Sequence, residues 1–280
     1  MDTVTETDVT LPDGRVVHVY DTGGADRPAV FWHHGTPNIG APPRPLFADA
    51  DRLGLRWVSY DRPGYGGSTA VPGRDIALAA HDVACIADSL GVDRFAVMGH
   101  SGGGPHAIAC GALLTERVIG VVAMAGLAPY GADGLDWFAG MAPDGVASLQ
   151  AALDGPAAKE ARELSEPEYD PQFTPADMEL LSTEWGWLGS VVAAATKDGP
   201  GGLIADDLAY VAPWGFDPAA VRAPMLLLHG GRDRVVPSSH SEWLASRCPT
   251  SQLRLTAEDG HVSVLRGAPD ALRWLRESTG

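Results

Sequence analysis

With 280 residues, 45% hydrophobic and 20% charged, the chain has the composition of an ordinary globular protein large enough to bury its core without staples. A formal charge of −16 argues against nucleic acid, which favours a basic face, and sets up a general repulsion toward anions that a local pocket can override. The three cysteines (Cys85, Cys110, Cys248) sit among apolar neighbours without metal spacing, and the acidic start Met1–Glu6 lacks a signal-type core, so buried thiols and a cytoplasmic location away from membranes are expected.

In chain order, Val4–Leu11 and Arg15–Tyr20 flank the turn sequence Pro12-Asp13-Gly14 and predict an antiparallel hairpin. Ala29–His33 and Arg56–Tyr60 read as short buried strands. Between Asp75 and Leu90 the apolar positions Ile76, Ala79, Ala80, Val83, Ala87 and Leu90 recur at helical spacing, with Asp75 as N-cap. A strand over Arg94–Met98, a helix over Gly104–Leu114 and a strand over Val118–Ala125 follow. From 127 to 216 no clear strand is evident, prolines and glycines are frequent, residues 160–168 are acidic, and Glu179–Ala195 suits a helix apart from its glycines. Alternation resumes with a strand at Pro224–His229, a helix at Ser238–Arg247, a strand at Gln252–Leu255 and a helix at Val262–Glu277. Strands separated by helices imply crossover units and a parallel sheet. The expectation is an α/β core formed by residues 1–126 and 217–280, interrupted by an insertion at 127–216.

Gly99-His100-Ser101-Gly102-Gly103 lies between the strand 94–98 and the helix 104–114. A serine held in so sharp a turn takes a strained backbone, with glycines where side chains would collide, and its hydroxyl stands clear of the sheet at a helix N-terminus. A hydroxyl is a weak nucleophile and needs a base, itself held by a carboxylate. His261, in the polar loop Glu258–His261 before the last helix, is the preferred base; His240 falls inside a helix, where a solvated face is expected. Asp233 follows the strand at 224–229 and completes the order Ser, Asp, His; Asp133 and Asp136 are weaker candidates for the acid. His33-His34-Gly35-Thr36-Pro37 follows the third strand, so the backbone N–H groups of Thr36 and Gly102 would receive a developing oxyanion. One such donor is typically worth about 2.7–4 kcal/mol. His33 and His34 have no supporting ligands at metal-binding spacing and are expected to shape the loop.

His34-Gly35-Thr36-Pro37, Asp61-Arg62-Pro63-Gly64-Tyr65-Gly66-Gly67-Ser68, the turn at Ser101, and Asp233 with His261 together resemble the serine-nucleophile members of the α/β-hydrolase superfamily. The resemblance spans nearly the whole chain outside the insertion. It implies an eight-stranded, mostly parallel sheet flanked by helices, with a helical cap after the sixth strand, and a structural role for the Asp61–Ser68 loop. Relatives that open epoxides or displace halides carry aspartate at the nucleophile position, so Ser101 argues against those reactions. Proline-specific aminopeptidases of the superfamily carry Gly-Gly-Ser-Trp-Gly and Asp-Gln-Arg-Gly, from which this chain departs at both places, although Glu179 and Glu184 would suit a substrate amine.

The reading is a serine hydrolase of a small, largely apolar carboxylic ester or related acyl compound, without a metal or organic cofactor. Its rivals are a lactonase, a thioesterase, a C–C bond hydrolase, a peptidase of the proline iminopeptidase kind, a cofactor-free perhydrolase or haloperoxidase, and a non-catalytic binding protein. His34 and His100 beside the turn, and Trp137, Met141, Trp185, Trp187 and Trp214 in the insertion, are candidates for the substrate wall, joined by Phe138 and Leu188. The expected partner is a small molecule; the oligomeric state is left open.

Overall fold

Apolar runs bounded by Gly and Pro form the strands. A computed structural model describes residues 4–165 and 168–278. The remainder, including Met1–Thr3 of the acidic start and two positions of the acidic stretch 160–168, lies outside the described residues. The elements are β1 (Thr5–Thr10), β2 (Val16–Asp21), β3 (Ala29–His33), α1 (Phe47–Leu53), β4 (Arg56–Tyr60), α2 (Leu78–Ser89), β5 (Phe95–His100), α3 (Gly103–Leu113) and β6 (Val118–Met124). After them come α4 (Pro143–Leu153), α5 (Pro156–Leu164), α6 (Pro175–Leu181), α7 (Trp187–Thr196), α8 (Gly201–Val211), β7 (Met225–Gly230), α9 (Ser239–Arg247), β8 (Ser251–Thr256) and α10 (Ala268–Ser278).

The strands form one eight-stranded sheet in the order β1-β2-β4-β3-β5-β6-β7-β8. Only β2 runs against its neighbours, because the β1–β2 hairpin and the short loop from β2 to β3 each reverse the chain, while the strands from β3 to β8 follow one another through crossovers. The strands β3, β4, β5 and β7 are buried at every position, and successive residues feed opposite faces. Phe31, Val58, Val97, Val121 and Leu227 pack with α2 and α3. Val30, Trp57, Ala96, Val122 and Leu226 pack toward α1 and α10. The edge strands β1 and β8 are mostly exposed and polar, which discourages edge-to-edge association.

Some expectations shift. The helix α1 was not legible, being seven residues long with Asp49, Asp51 and Arg52 among them; Gly54, at φ 65°, ends it. The helix expected from Asp75 begins at Leu78, whose N–H is accepted by Asp75 Oδ1 at 3.0 Å. The final helix is preceded by a 3-10 turn at Ser263–Gly267. Cys110 and Cys248 are buried but Cys85 only partly so. Between β6 and β7 the described residues contain α4–α8 and no strand. No helix among the described residues is long and apolar enough to cross a membrane.

Candidate active site

Ser101 follows β5 directly, with φ of 55°, a left-handed conformation that non-glycine residues seldom adopt. The Ser101 N–H donates to Met124 O at the end of β6 (2.8 Å), and its carbonyl accepts from Gly104 N–H (2.9 Å). A Cβ at Gly103 would collide with the His33 carbonyl of the neighbouring strand, and one at Gly99 with the Gly103 carbonyl. The turn therefore closes only with glycine at these two close approaches, and α3 starts immediately behind the serine.

Three loops at the carboxyl edge of the sheet bring the polar groups together. Ser101 Oγ lies 2.9 Å from His261 Nε2, and His261 Nδ1 lies 2.8 Å from Asp233 Oδ2. An ionised carboxylate only accepts, so Asp233 keeps the proton on Nδ1 and leaves Nε2 free to take the serine proton. Asp233 Oδ1 accepts the N–H groups of Val235 (2.8 Å) and Val236 (2.9 Å). Burial works against its charge, but the imidazoles of His261 and His229 outweigh that and hold the carboxyl well below the usual range. Asp133 and Asp136 stay exposed on the surface. His240 is not on a solvated face: it is buried, its Nδ1 accepting Ala128 N–H (3.0 Å) and its Nε2–H donating to Trp137 O (2.9 Å).

Thr36 and Gly102 both line the cavity at Ser101, and neither backbone N–H is engaged in a hydrogen bond among the described residues. The Thr36 hydroxyl donates to Asp206 Oδ2 on α8 (2.5 Å) and meets Tyr210 Oη at 2.7 Å. Asp206 also takes Arg62 (2.5 Å), Arg74 and the Tyr65 hydroxyl (2.9 Å). Burial opposes its charge, yet the two guanidiniums hold it well below the ordinary carboxylate value. Arg62, from the Asp61–Ser68 loop, donates in addition to the carbonyls of His34 and Gly35, and its N–H is accepted by His34 Nε2 at 3.1 Å. This loop thus braces the Thr36 turn from beneath. His34 belongs to that brace, and burial with the nearby Arg62 charge keeps it neutral.

A second brace was missed in the sequence. Asp177, at the start of α6, accepts Val262 N–H (2.9 Å), Ser263 N–H (2.7 Å) and the Ser263 hydroxyl (2.8 Å) through Oδ1. Its Oδ2 closes a capping box with Thr174 and sits where a Cβ on Gly260 would be. The insertion therefore grips the residues on both sides of His261. Thr174-Pro175-Ala176-Asp177 was the available signal, since a capping box marks a helix start, but the sequence does not show the box reaching a loop 85 residues away. His100 adds to this grip by donating from Nε2 to His261 O (2.9 Å); burial and the adjacent His261 push its own pKa down to about 3.

Replacing Asp177 by alanine should lower kcat about 10²-fold with a smaller change in KM, the scale expected when a catalytic group is misplaced by an ångström. Burial raises the Asp177 pKa, but the donors from Ser263 and Thr174 bring it below 3.8. The unfolded chain then takes up the proton first on acidification. The stability advantage of wild type over Asp177→Asn should be complete above pH 3.8 and shrink as pH falls through the lower folded value, read from urea midpoints across that range. An advantage that persists unchanged at lower pH would contradict the clasp.

A cavity of about 350 Å³ opens on Ser101 and Gly102, walled by Leu127, Leu149, Val192, Leu203 and Val236 among others. Its apolar character agrees with expectation, but different residues supply it. His34 and His100 brace loops and do not line it. Trp137, Met141 and Trp214 do not line it but pack in a cluster that shares Leu127, Tyr210 and Val236 with the wall. Trp185 and Leu188 are buried, and Trp187 half-buried, against the α10 side of the core. These large aromatics anchor the insertion to the sheet domain, which is where their area is best spent. Glu179 pairs with Arg266 (2.8 Å) and Glu184 is exposed, so neither faces the cavity.

The family model for the alpha/beta hydrolase fold matches residues 28–268. A bifunctional esterase/perhydrolase of Acinetobacter calcoaceticus is 38% identical over 97 residues, 34% of this chain and 35% of that protein. The 2-hydroxy-6-oxononadienedioate/2-hydroxy-6-oxononatrienedioate hydrolase of Burkholderia vietnamiensis is 27% identical over 263 residues, covering 88% of this chain and 84% of its own length. Among solved structures, an enol-lactonase from Burkholderia xenovorans superposes with a TM-score of 0.71 at 19% identity, over 97% of this chain and 99% of the other. A sheet of this order with a serine on the turn after its central strand, matched along most of its length by one family, leaves a single conclusion: the chain belongs to the α/β-hydrolase fold family and is an enzyme of hydrolase type.

Proposed function

We propose that Ser101, His261 and Asp233 act as nucleophile, base and orienting acid, and that the enzyme cleaves a small carboxylic ester or related acyl compound. The observation that carries this is the unbroken series Ser101 Oγ–His261 Nε2 and His261 Nδ1–Asp233 Oδ2, at 2.9 and 2.8 Å, ending in an apolar cavity. His261 takes the serine proton as Oγ attacks the carbonyl carbon. The oxyanion forms against the Thr36 and Gly102 N–H groups, and His261 passes the proton to the leaving group. Water, deprotonated in turn by His261, releases the acid and restores the serine. The helical insertion acts as a cap, since it supplies most of the apolar wall and holds both loops of the reacting centre.

A second reading uses the same groups on a carbon–carbon bond beside a ketone. It is supported by the relative named for a 2-hydroxy-6-oxo dioate, which matches over 88% of this chain. Both readings predict a covalent acyl-enzyme. Acid quenching during turnover of para-nitrophenyl butyrate, followed by peptide mass analysis, should place one butyryl group on Ser101. Finding the label elsewhere, or a burst of nitrophenol with no label, would overturn the assignment.

A further inference from the structure

Arg162, on α5, lines the same cavity as Ser101. Its Nε is buried and has no hydrogen-bond partner, and among the described residues its guanidinium enters no ion pair. The acids that share its stretch of wall are already committed. Lys159, fully buried behind them, spends its ammonium protons on Glu163 and Asp207 at 2.6 Å each and on the Ser148 hydroxyl at 2.6 Å. The two arginines behind the oxyanion loop, Arg62 and Arg74, are likewise matched by Asp206. Among the described residues Arg162 is therefore a cation without a counter-ion, in a wall otherwise made of Leu149, Val192 and Leu203 and of charges that are paired. A buried donor left unmatched in the free protein is a donor that a ligand can satisfy, and a guanidinium favours a carboxylate, which it can meet with two parallel hydrogen bonds.

We propose that Arg162 is the receptor for a carboxylate on the substrate, so that the preferred acyl compound carries an acid group apart from the bond that is cleaved. This rests on the reading of Ser101 as nucleophile. It also answers a problem set by the charge of −16, which disfavours anionic substrates over the surface as a whole: a local cation in a cavity of low dielectric overrides that field. Lys159 does not serve in this role, because its three protons are used inside the protein. Arg162 determines specificity and takes no part in bond making.

Mono-para-nitrophenyl esters of succinate, glutarate, adipate and suberate provide the test, each paired with the neutral ester of the same length. Wild type should prefer the acid-bearing member at the length that reaches Arg162. In Arg162→Gln the ratio of kcat/KM between the two members should fall about 10- to 100-fold, carried mainly in KM, as for loss of a charge-assisted hydrogen bond. Arg162→Lys should restore part of the ratio, since it returns the charge without the fork. The proposal is overturned if wild type prefers the neutral ester at every length, or if Arg162→Gln depresses both members alike, which would mark a packing role on α5. Failure of the nucleophile reading looks different: Ser101→Ala would then go on releasing nitrophenol from both esters.

Discussion

Ser101→Ala should reduce turnover of para-nitrophenyl butyrate by about 10⁶, the loss seen when the nucleophile of a serine triad is removed. The size of the effect follows from the mechanism: without Oγ no acyl-enzyme forms, and the donors at Thr36 and Gly102 can act only on direct attack by water. Residual catalysis of about 10³–10⁴ over the uncatalysed reaction is what binding and oxyanion contacts alone supply. The substitution keeps Cβ, so the strain at φ 55° is carried equally by serine and alanine, and the fold should be unaffected. Stopped assays at high enzyme concentration, with a urea melt of the same preparation, separate chemistry from folding. A variant that retains a few per cent of wild-type turnover would mean that the ester is cleaved elsewhere. Ser101→Gly supplies a useful contrast, because glycine removes the strain: it should be at least as stable as wild type and equally inactive.

Asp233→Asn should cost about 10⁴ in kcat with little change in KM. The geometry gives the reason. Asp233 Oδ1 accepts two backbone N–H groups, from Val235 and Val236, so an asparagine must keep its carbonyl oxygen there. Its amide NH₂ then points at His261 Nδ1, in the place of Oδ2. A donor facing Nδ1 forces the ring proton onto Nε2, and a protonated Nε2 cannot accept from Ser101. His229 offers no escape, since its Nε2–H is directed at Val236 O (2.7 Å) and lies 3.4 Å from Asp233 Oδ2. The loss should therefore exceed that expected from removing a charge alone. A loss below about tenfold would point to another acid, and because Asp133 and Asp136 are exposed, that acid would have to reach the site by movement.

The ease with which each part could be read follows the range of the interactions behind it. The turn at Ser101 was legible because its demands are local: glycines at close approaches, an apolar strand before it and a helix after it. The strands β3 to β7 were legible because burial on both faces leaves continuous apolar runs. The proximity of His261 and Asp233 to Ser101 could be read from their places after β8 and β7, since a sheet edge collects the loops that follow its strands. The aromatic residues of the insertion misled for a related reason. Trp137, Trp185 and Trp214 announce burial, and burial against the sheet domain leaves the same mark in a sequence as burial against a substrate. The actual wall is made of medium-sized residues such as Leu149 and Leu203, which carry no distinguishing pattern.

By itself, then, the sequence determined the sheet, the strained serine turn and the order of the residues that surround it, all of which depend on a few neighbouring positions and on strand connectivity. Only the tertiary structure decided how the insertion sits on that frame. Asp177 reaches the His261 loop, Asp206 reaches Thr36 and Arg62, and Arg162 is left facing the cavity without a partner among the described residues. The first two depend on where a helix between β6 and β7 lies relative to a loop 85 to 170 residues away in the chain. No local periodicity records that distance, because the contacts are set by the packing of buried carboxylates and guanidiniums that must find one another once water is excluded.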